Sequence, residues 1–139
     1  MSQIYETDKL VEEYLLFHYA SDEEVLPWAG GPKEALNFPV RTVKHFSGGR
    51  VARALDIGCA VGRSSLELSR EADEVVGIDF SQAFVDVAEK VRCGDDIRYS
   101  RLEEASVKSE MQVSLPEGIK ADAVSVSYTH LTLPTIYSV

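Results

Sequence analysis

Apolar residues recur at three- and four-residue intervals from Asp8 to about Tyr19, where Leu10, Val11, Tyr14, Leu15, Phe17 and His18 fall on one broad face, so the spacing predicts an amphipathic helix. Asp22, Pro27, Gly30, Gly31 and Pro32 then punctuate a loop carrying Trp28, the only tryptophan. Asn37 stands where it can cap a second helix that has Pro39 in its first turn and Val40, Val43 and Phe46 on its inner face, with Gly48 and Gly49 ending it. Val51–Ile57 reads VARALDI, apolar on both alternating faces, which predicts a buried strand of a parallel sheet. After the turn GCAVGRSS the pattern predicts a helix over Arg63–Glu71 and a strand over Val75–Asp79. Ser81 is placed to cap another helix over Gln82–Arg92 with Phe84, Val85, Ala88 and Val91 inward, and Gly94 sits where a left-handed C-terminal cap belongs.

Strand, glycine turn, helix, strand and helix make a βαβα unit over about Val51–Gly94, and the right-handed crossover rule makes it half of a doubly wound parallel sheet of α/β class. Beyond it, IRYSRL and MQVSL read as two short strands flanking the acidic stretch Glu103–Glu110, a surface hairpin or insertion. The expected organisation is therefore a helical cap region over residues 1–50 and the first part of a sheet domain over 51–125, followed by a tail over 126–139.

The 139 residues are 45% hydrophobic and 27% charged, which excludes disordered and fibrous classes. A formal net charge of −9 repels polyanions and argues against nucleic-acid and anionic-membrane partners, leaving a small or cationic molecule. Cys59 and Cys93, with His18, His45 and His130, show no zinc-ligand spacing, so no metal is expected and reduced thiols in a cytoplasm are the default. No apolar run approaches the ~20 residues of a membrane span, and the start MSQIYETDKL lacks the basic-then-apolar pattern of a signal peptide.

Chemistry concentrates in LDIGCAVGRSS, residues 55–65. Gly58 and Gly62 bracket a strand-to-helix turn, where a missing Cβ permits positive φ and close approach of a ligand to the backbone. The following helix start is an anion site that suits a phosphate or a carboxylate. Dinucleotide binders show G-x-G-x-x-G, but here Ala60 takes the middle glycine position and Asp56 directly precedes the turn, which weakens a pyrophosphate reading. Asp79 ends the second strand, close to the ~20-residue offset at which an acid meets ribose hydroxyls. Taken singly, these residues fit ordinary turn glycines and surface acids; jointly they make ribose the expected guest.

This arrangement resembles the class I S-adenosylmethionine-dependent methyltransferases. The resemblance implies S-adenosyl-L-methionine as cofactor, held by Asp56, Gly58, Cys59, Ala60, Gly62, Asp79 and Phe80: Asp56 faces the methionine amino group through the turn, the helix start receives the carboxylate, Asp79 takes the ribose diol and Phe80 flanks the adenine. It also implies a Rossmann-like sheet, of which this chain is the N-terminal part. Four segments, YETDKLVEEYLLFHYA, VLPWAGGPKEALNFPVRTV, ARALDIGCAVGRSSLELSR and EVVGIDFSQAFVDVA, are similar to the mercaptohistidine methyltransferases of ovothiol biosynthesis, with GPKEALNFPVR the most specific part. That narrower resemblance implies methylation of an imidazole nitrogen of a thiol-bearing histidine. Tyr5, Tyr14, His18 and Trp28 are the candidate substrate residues, against the plainer reading of Tyr14 and His18 as core groups on an apolar helical face. Cys59 is read as a small residue filling a tight turn, not as a nucleophile. Other small-molecule acceptors and a non-catalytic nucleotide-binding fragment remain the alternatives.

Every charged residue lies before Ala123. The tail VSYTHLTLPTIYSV alternates enough to suggest a strand, yet VSYTHLTLPT also resembles one reading frame of the transposase adapter used in short-read DNA library preparation. That resemblance implies a natural frame ending near Ser125, a sheet incomplete at its C-terminus, a first strand with one edge exposed, and a chain without turnover of its own.

Overall fold

The computed structural model describes residues 7–28, 30–46 and 48–130. Helix α1 spans Asp8–Tyr19, with the Thr7 side chain accepting the Leu10 N–H at its start. Its inward residues are Leu15 and Tyr19, joined by half-buried Leu10, Val11, Tyr14 and Leu16; Phe17, expected on that face, is exposed. Helix α2, Asp22–Val25, occupies part of the expected loop. Its signal was present in the sequence as Ser21-x-x-Glu24: the Ser21 hydroxyl accepts the Glu24 N–H, and the Glu24 carboxylate accepts the Ser21 N–H at 2.8 Å.

Helix α3 spans Phe38–Lys44. Asn37 precedes it as expected, but with φ of 55° and without a capping hydrogen bond, because its amide donates to the Asp22 carboxylate instead. Pro39 and Val43 are the buried residues of α3, whereas Phe46 lies exposed past its end, so the inner face is shifted from the one the spacing predicted.

Strand β1 (Val51–Ile57), helix α4 (Arg63–Leu68), strand β2 (Ala72–Asp79) and helix α5 (Gln82–Cys93) form the βαβα unit. Helix α4 ends three residues earlier than predicted and β2 begins three earlier, since Ser69, Arg70 and Glu71 close the helix with short-range bonds to Leu66, Glu67 and Leu68. Helix α5 matches the sequence reading closely: the Ser81 hydroxyl accepts the Phe84 N–H at 3.2 Å, Phe84, Val85, Ala88 and Val91 are buried, and Gly94 adopts φ of 79°.

Strand β3 (Arg98–Glu104) and strand β4 (Val107–Gln112) form an antiparallel hairpin. The hairpin was expected, but most of Glu103–Glu110 belongs to the strands and the turn is confined to Ala105 and Ser106. Strand β5, Val124–Tyr128, pairs in parallel with β2, giving the sheet order β1-β2-β5.

Strand β1 departs most from expectation. Alternate residues put Ala54 and Asp56 on the same side as Val75 and Gly77 of β2, beneath α4, and put Leu55 and Ile57 on the other side beside Val76 and Ile78. Among the described residues the helices packed on the sheet cover the first side, so Leu55 is 59% exposed and Ile57 64% exposed. The burial that the two-sided pattern predicts requires both layers and a neighbour on the outer edge, whereas β1 lies at the edge of the β1-β2-β5 sheet, the open edge that the tail resemblance implied.

The first side carries the core, in which Val61, Leu66, Ala72, Val75, Phe84, Val91 and Val124 are buried together. Each of these valine, leucine and phenylalanine side chains contributes about 1.5–3 kcal/mol by leaving water. Among the described residues, no helix is long and apolar enough to cross a membrane, and no group of three His, Cys, Asp or Glu could hold a metal.

Candidate functional site

The β1–α4 turn is built from left-handed backbone. Gly58 and Gly62 adopt φ of 81° and 87°, and Ala60 between them adopts 46°. A side chain at Gly62 would also approach the Ala88 Cβ to 3.0 Å. Alanine pays about 1 kcal/mol for a left-handed conformation, so Ala60 must be held there. Asp79 holds it: one carboxylate oxygen accepts the Ala60 N–H at 2.9 Å and the other accepts the Ser81 N–H at 2.9 Å. Asp79 is only 5% exposed. The sequence placed this carboxylate against a ribose; in the structure both oxygens brace the turn against the start of α5.

Asp56, the next-to-last residue of β1, is half-buried under α4. One of its oxygens accepts two hydroxyl protons, from Ser64 and Ser65, each at 2.7 Å. These serines carried no role in the sequence reading. Their signal is two hydroxyls eight and nine residues after a strand-end carboxylate, which a tight strand-turn-helix folds back onto it. Cys59 lies fully buried inside the turn, packed by Ser65 and Gly77, and its thiol is pushed up to about 12 by burial and then by the Asp56 and Asp79 charges. Its side chain therefore faces the core, as expected of a small residue filling the turn.

The end of α1 is fastened to this turn from above. The Tyr19 hydroxyl donates to the Val61 carbonyl at 2.8 Å, and Arg63 donates to the His18 carbonyl at 3.1 Å while its guanidinium lies 5.5 Å from the Tyr19 ring centroid. Glu67, almost fully buried, takes Arg63 on one oxygen and Arg70 on the other, so the buried charges are paired.

Between α1, α3 and the turn lies a cavity of about 580 Å³, lined by Tyr14, Phe17 and His18 from α1, Phe38, Pro39 and Thr42 from α3, and Asp56, Ile57, Gly58, Ala60 and Ser64 below. Its size is that of a small-molecule site. Of the residues singled out in the sequence, the structure brings Asp56, Gly58, Ala60, Tyr14 and His18 to this cavity. Phe80 is partly exposed away from its lining, Trp28 lies exposed in the loop after α2, and Tyr5 falls outside the described residues. A second groove, between α3 and α4, is larger at about 640 Å³ but is lined by the already paired Arg63, Glu67 and Arg70. The smaller cavity is the one that meets the glycine turn.

His18 stands out within it. Its Nδ1 is sealed from solvent with no hydrogen-bond partner, and burial, assisted by the Arg63 charge, lowers its pKa to about 4. In the unfolded chain the ring takes up its proton near pH 6.5; in the folded chain it resists until about pH 4. Stability is therefore present above pH 6.5 and falls as pH drops toward 4, by about 3 kcal/mol from this group. Thermal midpoints recorded across that window should fall less steeply for His18→Phe than for the wild type, and parallel curves would refute the assignment.

The sequence model of the family described as Methyltransferase domain matches residues 54–138. No curated protein matches the sequence. Among solved structures, a protein of Methanococcus maripaludis described as an S-adenosyl-L-methionine-dependent methyltransferase is 13% identical with a TM-score of 0.51, over 96% of this chain and 46% of that one. YcgJ of Bacillus subtilis is 20% identical with a TM-score of 0.45, over 69% of this chain and 31% of that one. Phosphoethanolamine N-methyltransferase 1 of Haemonchus contortus, solved with phosphoethanolamine and S-adenosylhomocysteine, is 13% identical with a TM-score of 0.45, over 93% of this chain and 22% of that one. The chain thus spans less than half the length of each.

Proposed function

The chain belongs to the methyltransferase-domain family, and from that premise we propose that it binds S-adenosyl-L-methionine with the methionine end of the cofactor in the cavity below α1 and α3. One observation carries this reading: the only charged side chain among the described residues lining that cavity is the Asp56 carboxylate, set beside the left-handed Gly58 and Ala60. A carboxylate attracts an ammonium and repels a pyrophosphate, so the lining suits a cofactor with an amino group and no phosphate. Ser64 and Ser65 fix the orientation of Asp56, and Asp79 fixes the turn around which the cofactor would lie.

When bound, S-adenosyl-L-methionine supplies an electrophilic sulfonium methyl group. Alignment of donor and acceptor and exclusion of water are most of what an in-line displacement needs from a protein, and this chain's residues contribute the donor side. The acceptor we propose is an imidazole nitrogen of a mercaptohistidine. Its support is the segment GPKEALNFPVR, which delivers Phe38 and Pro39 to the cavity wall opposite Asp56. Covering 46% of the Methanococcus maripaludis structure, the 139-residue chain is expected to bind cofactor without turning over.

Calorimetric titration with S-adenosylhomocysteine and with NAD tests the cofactor. Binding of the first alone is expected, and binding of NAD alone would overturn the reading. For the acceptor, a longer protein containing this chain is incubated with labelled cofactor and mercaptohistidine, histidine or simple thiols; faster labelling of either comparison compound would sink the mercaptohistidine assignment.

A further inference from the structure

Among the described residues, the cavity lining has a carboxylate for an ammonium group but no cation for the carboxylate that accompanies it in an amino acid. The methyltransferase resemblance implies that task for the start of α4. With six residues and two serine side chains turned back to Asp56, α4 offers only a short run of aligned peptides for it. We propose that His18 recognises the carboxylate of an amino-acid ligand in this cavity, its Nε2–H donating to a carboxylate oxygen while the ligand's ammonium faces Asp56. This rests on the placement of an amino-acid end beside the glycine turn.

The tautomer follows from burial. Nδ1 is sealed and unpartnered, and a sealed N–H without an acceptor is a rarer and costlier orphan than a bare lone pair. The single proton of the neutral ring therefore resides on Nε2, the nitrogen left for the cavity that His18 lines. The groups around the ring keep it neutral: Arg63 of α4 lies close enough to oppose a second proton, Tyr14 of the same helix packs with its ring centroid 5.5 Å away, and Asp56 of β1 lies across the cavity with its charge engaged by two serines. The Thr42 hydroxyl donates to the Phe38 carbonyl and the Ser64 hydroxyl to Asp56. A ring that stays neutral is a poor proton acceptor for catalysis and a fixed donor for binding.

Two carboxylates have this chemistry, that of the cofactor's methionine and that of an amino-acid acceptor, and the test separates them. His18→Phe keeps the ring's packing and removes the donor; His18→Gln restores an N–H near Nε2. Binding of S-adenosylhomocysteine is compared with that of 5′-methylthioadenosine, which lacks the amino-acid end. In a longer, active protein containing this chain, KM for mercaptohistidine is compared with KM for its decarboxylated amine. If the cofactor's carboxylate is the ligand, His18→Phe weakens S-adenosylhomocysteine by about ten- to a hundredfold, leaves methylthioadenosine unchanged, and is partly rescued by His18→Gln. If the acceptor's carboxylate is the ligand, both nucleosides bind unchanged and KM rises for mercaptohistidine alone. Either result supports the role. Equal losses for both nucleosides, failure of rescue, or no change in any of these quantities overturns it. Absence of binding of both nucleosides to the wild type overturns the cofactor reading itself, a failure distinct from that of His18.

Discussion

Asp79→Ala is expected to lower the unfolding free energy by roughly 3–5 kcal/mol, the cost of leaving two buried N–H groups, those of Ala60 and Ser81, without acceptors. The loss extends to the site, because the bond from Ala60 is what holds a non-glycine residue at φ of 46°. Freed of it, the turn relaxes and the backbone no longer presents the same surface below the cavity. Set against the ~5–15 kcal/mol that stabilises a typical domain, the change removes a large share of the margin. Urea unfolding of the variant beside the wild type measures it, and S-adenosylhomocysteine titration follows the site. Asp79→Asn should fall between them, since an amide retains one acceptor oxygen but turns an N–H₂ toward the other donor. An alanine variant with wild-type stability would show that Asp79 does not brace the turn.

Gly77→Val should be comparably damaging through a different cause. Gly77 lies in β2 directly beneath the turn, where even a Cβ would come within 2.5 Å of the Ser65 Oγ and 3.1 Å of the Cys59 Cβ and Sγ. Ser65 is fully buried and its hydroxyl is committed to Asp56, so relief requires breaking that bond or lifting the turn off the sheet. Overpacking of this kind costs about 1–3 kcal/mol, and the lost Ser65 bond adds about 1–3 kcal/mol because its acceptor is charged. Gly77→Ala should show a smaller fraction of the same loss, together with weakened cofactor binding as Asp56 loses one of its two orienting partners. Denaturation midpoints and calorimetry on both variants check this. A valine variant that folds and binds normally would mean that the turn can shift at no cost.

These two residues mark the limit of the sequence reading. Asp79 was singled out by its place at the end of a strand, 23 residues after Asp56, but what it touches depends on how the turn coils back over β2. Gly77 drew no attention because a glycine within an apolar run has no local signature; its need arises only when α4 packs on the sheet and brings Ser65 over it. Ser64 and Ser65 are of the same kind, ordinary first-turn helix residues until a carboxylate is folded beneath them.

The sequence by itself determined the local elements with their own periodicity and punctuation: α1, the VARALDI strand, and α5 with its serine cap and terminal glycine. It also showed where a left-handed turn could join the carboxylate near the end of β1 to a helix, because Gly58 and Gly62 permit positive φ at no steric cost. Tertiary structure alone decided which apolar residues were covered, leaving Leu55 and Ile57 bare on β1 while burying Tyr19 against the turn, since burial belongs to pairs of surfaces and not to a pattern along one chain. It also decided the chemistry of His18, whose neutral ring and orphaned nitrogen result from burial at the rim of the cavity, beside an arginine 45 residues away that donates to its carbonyl.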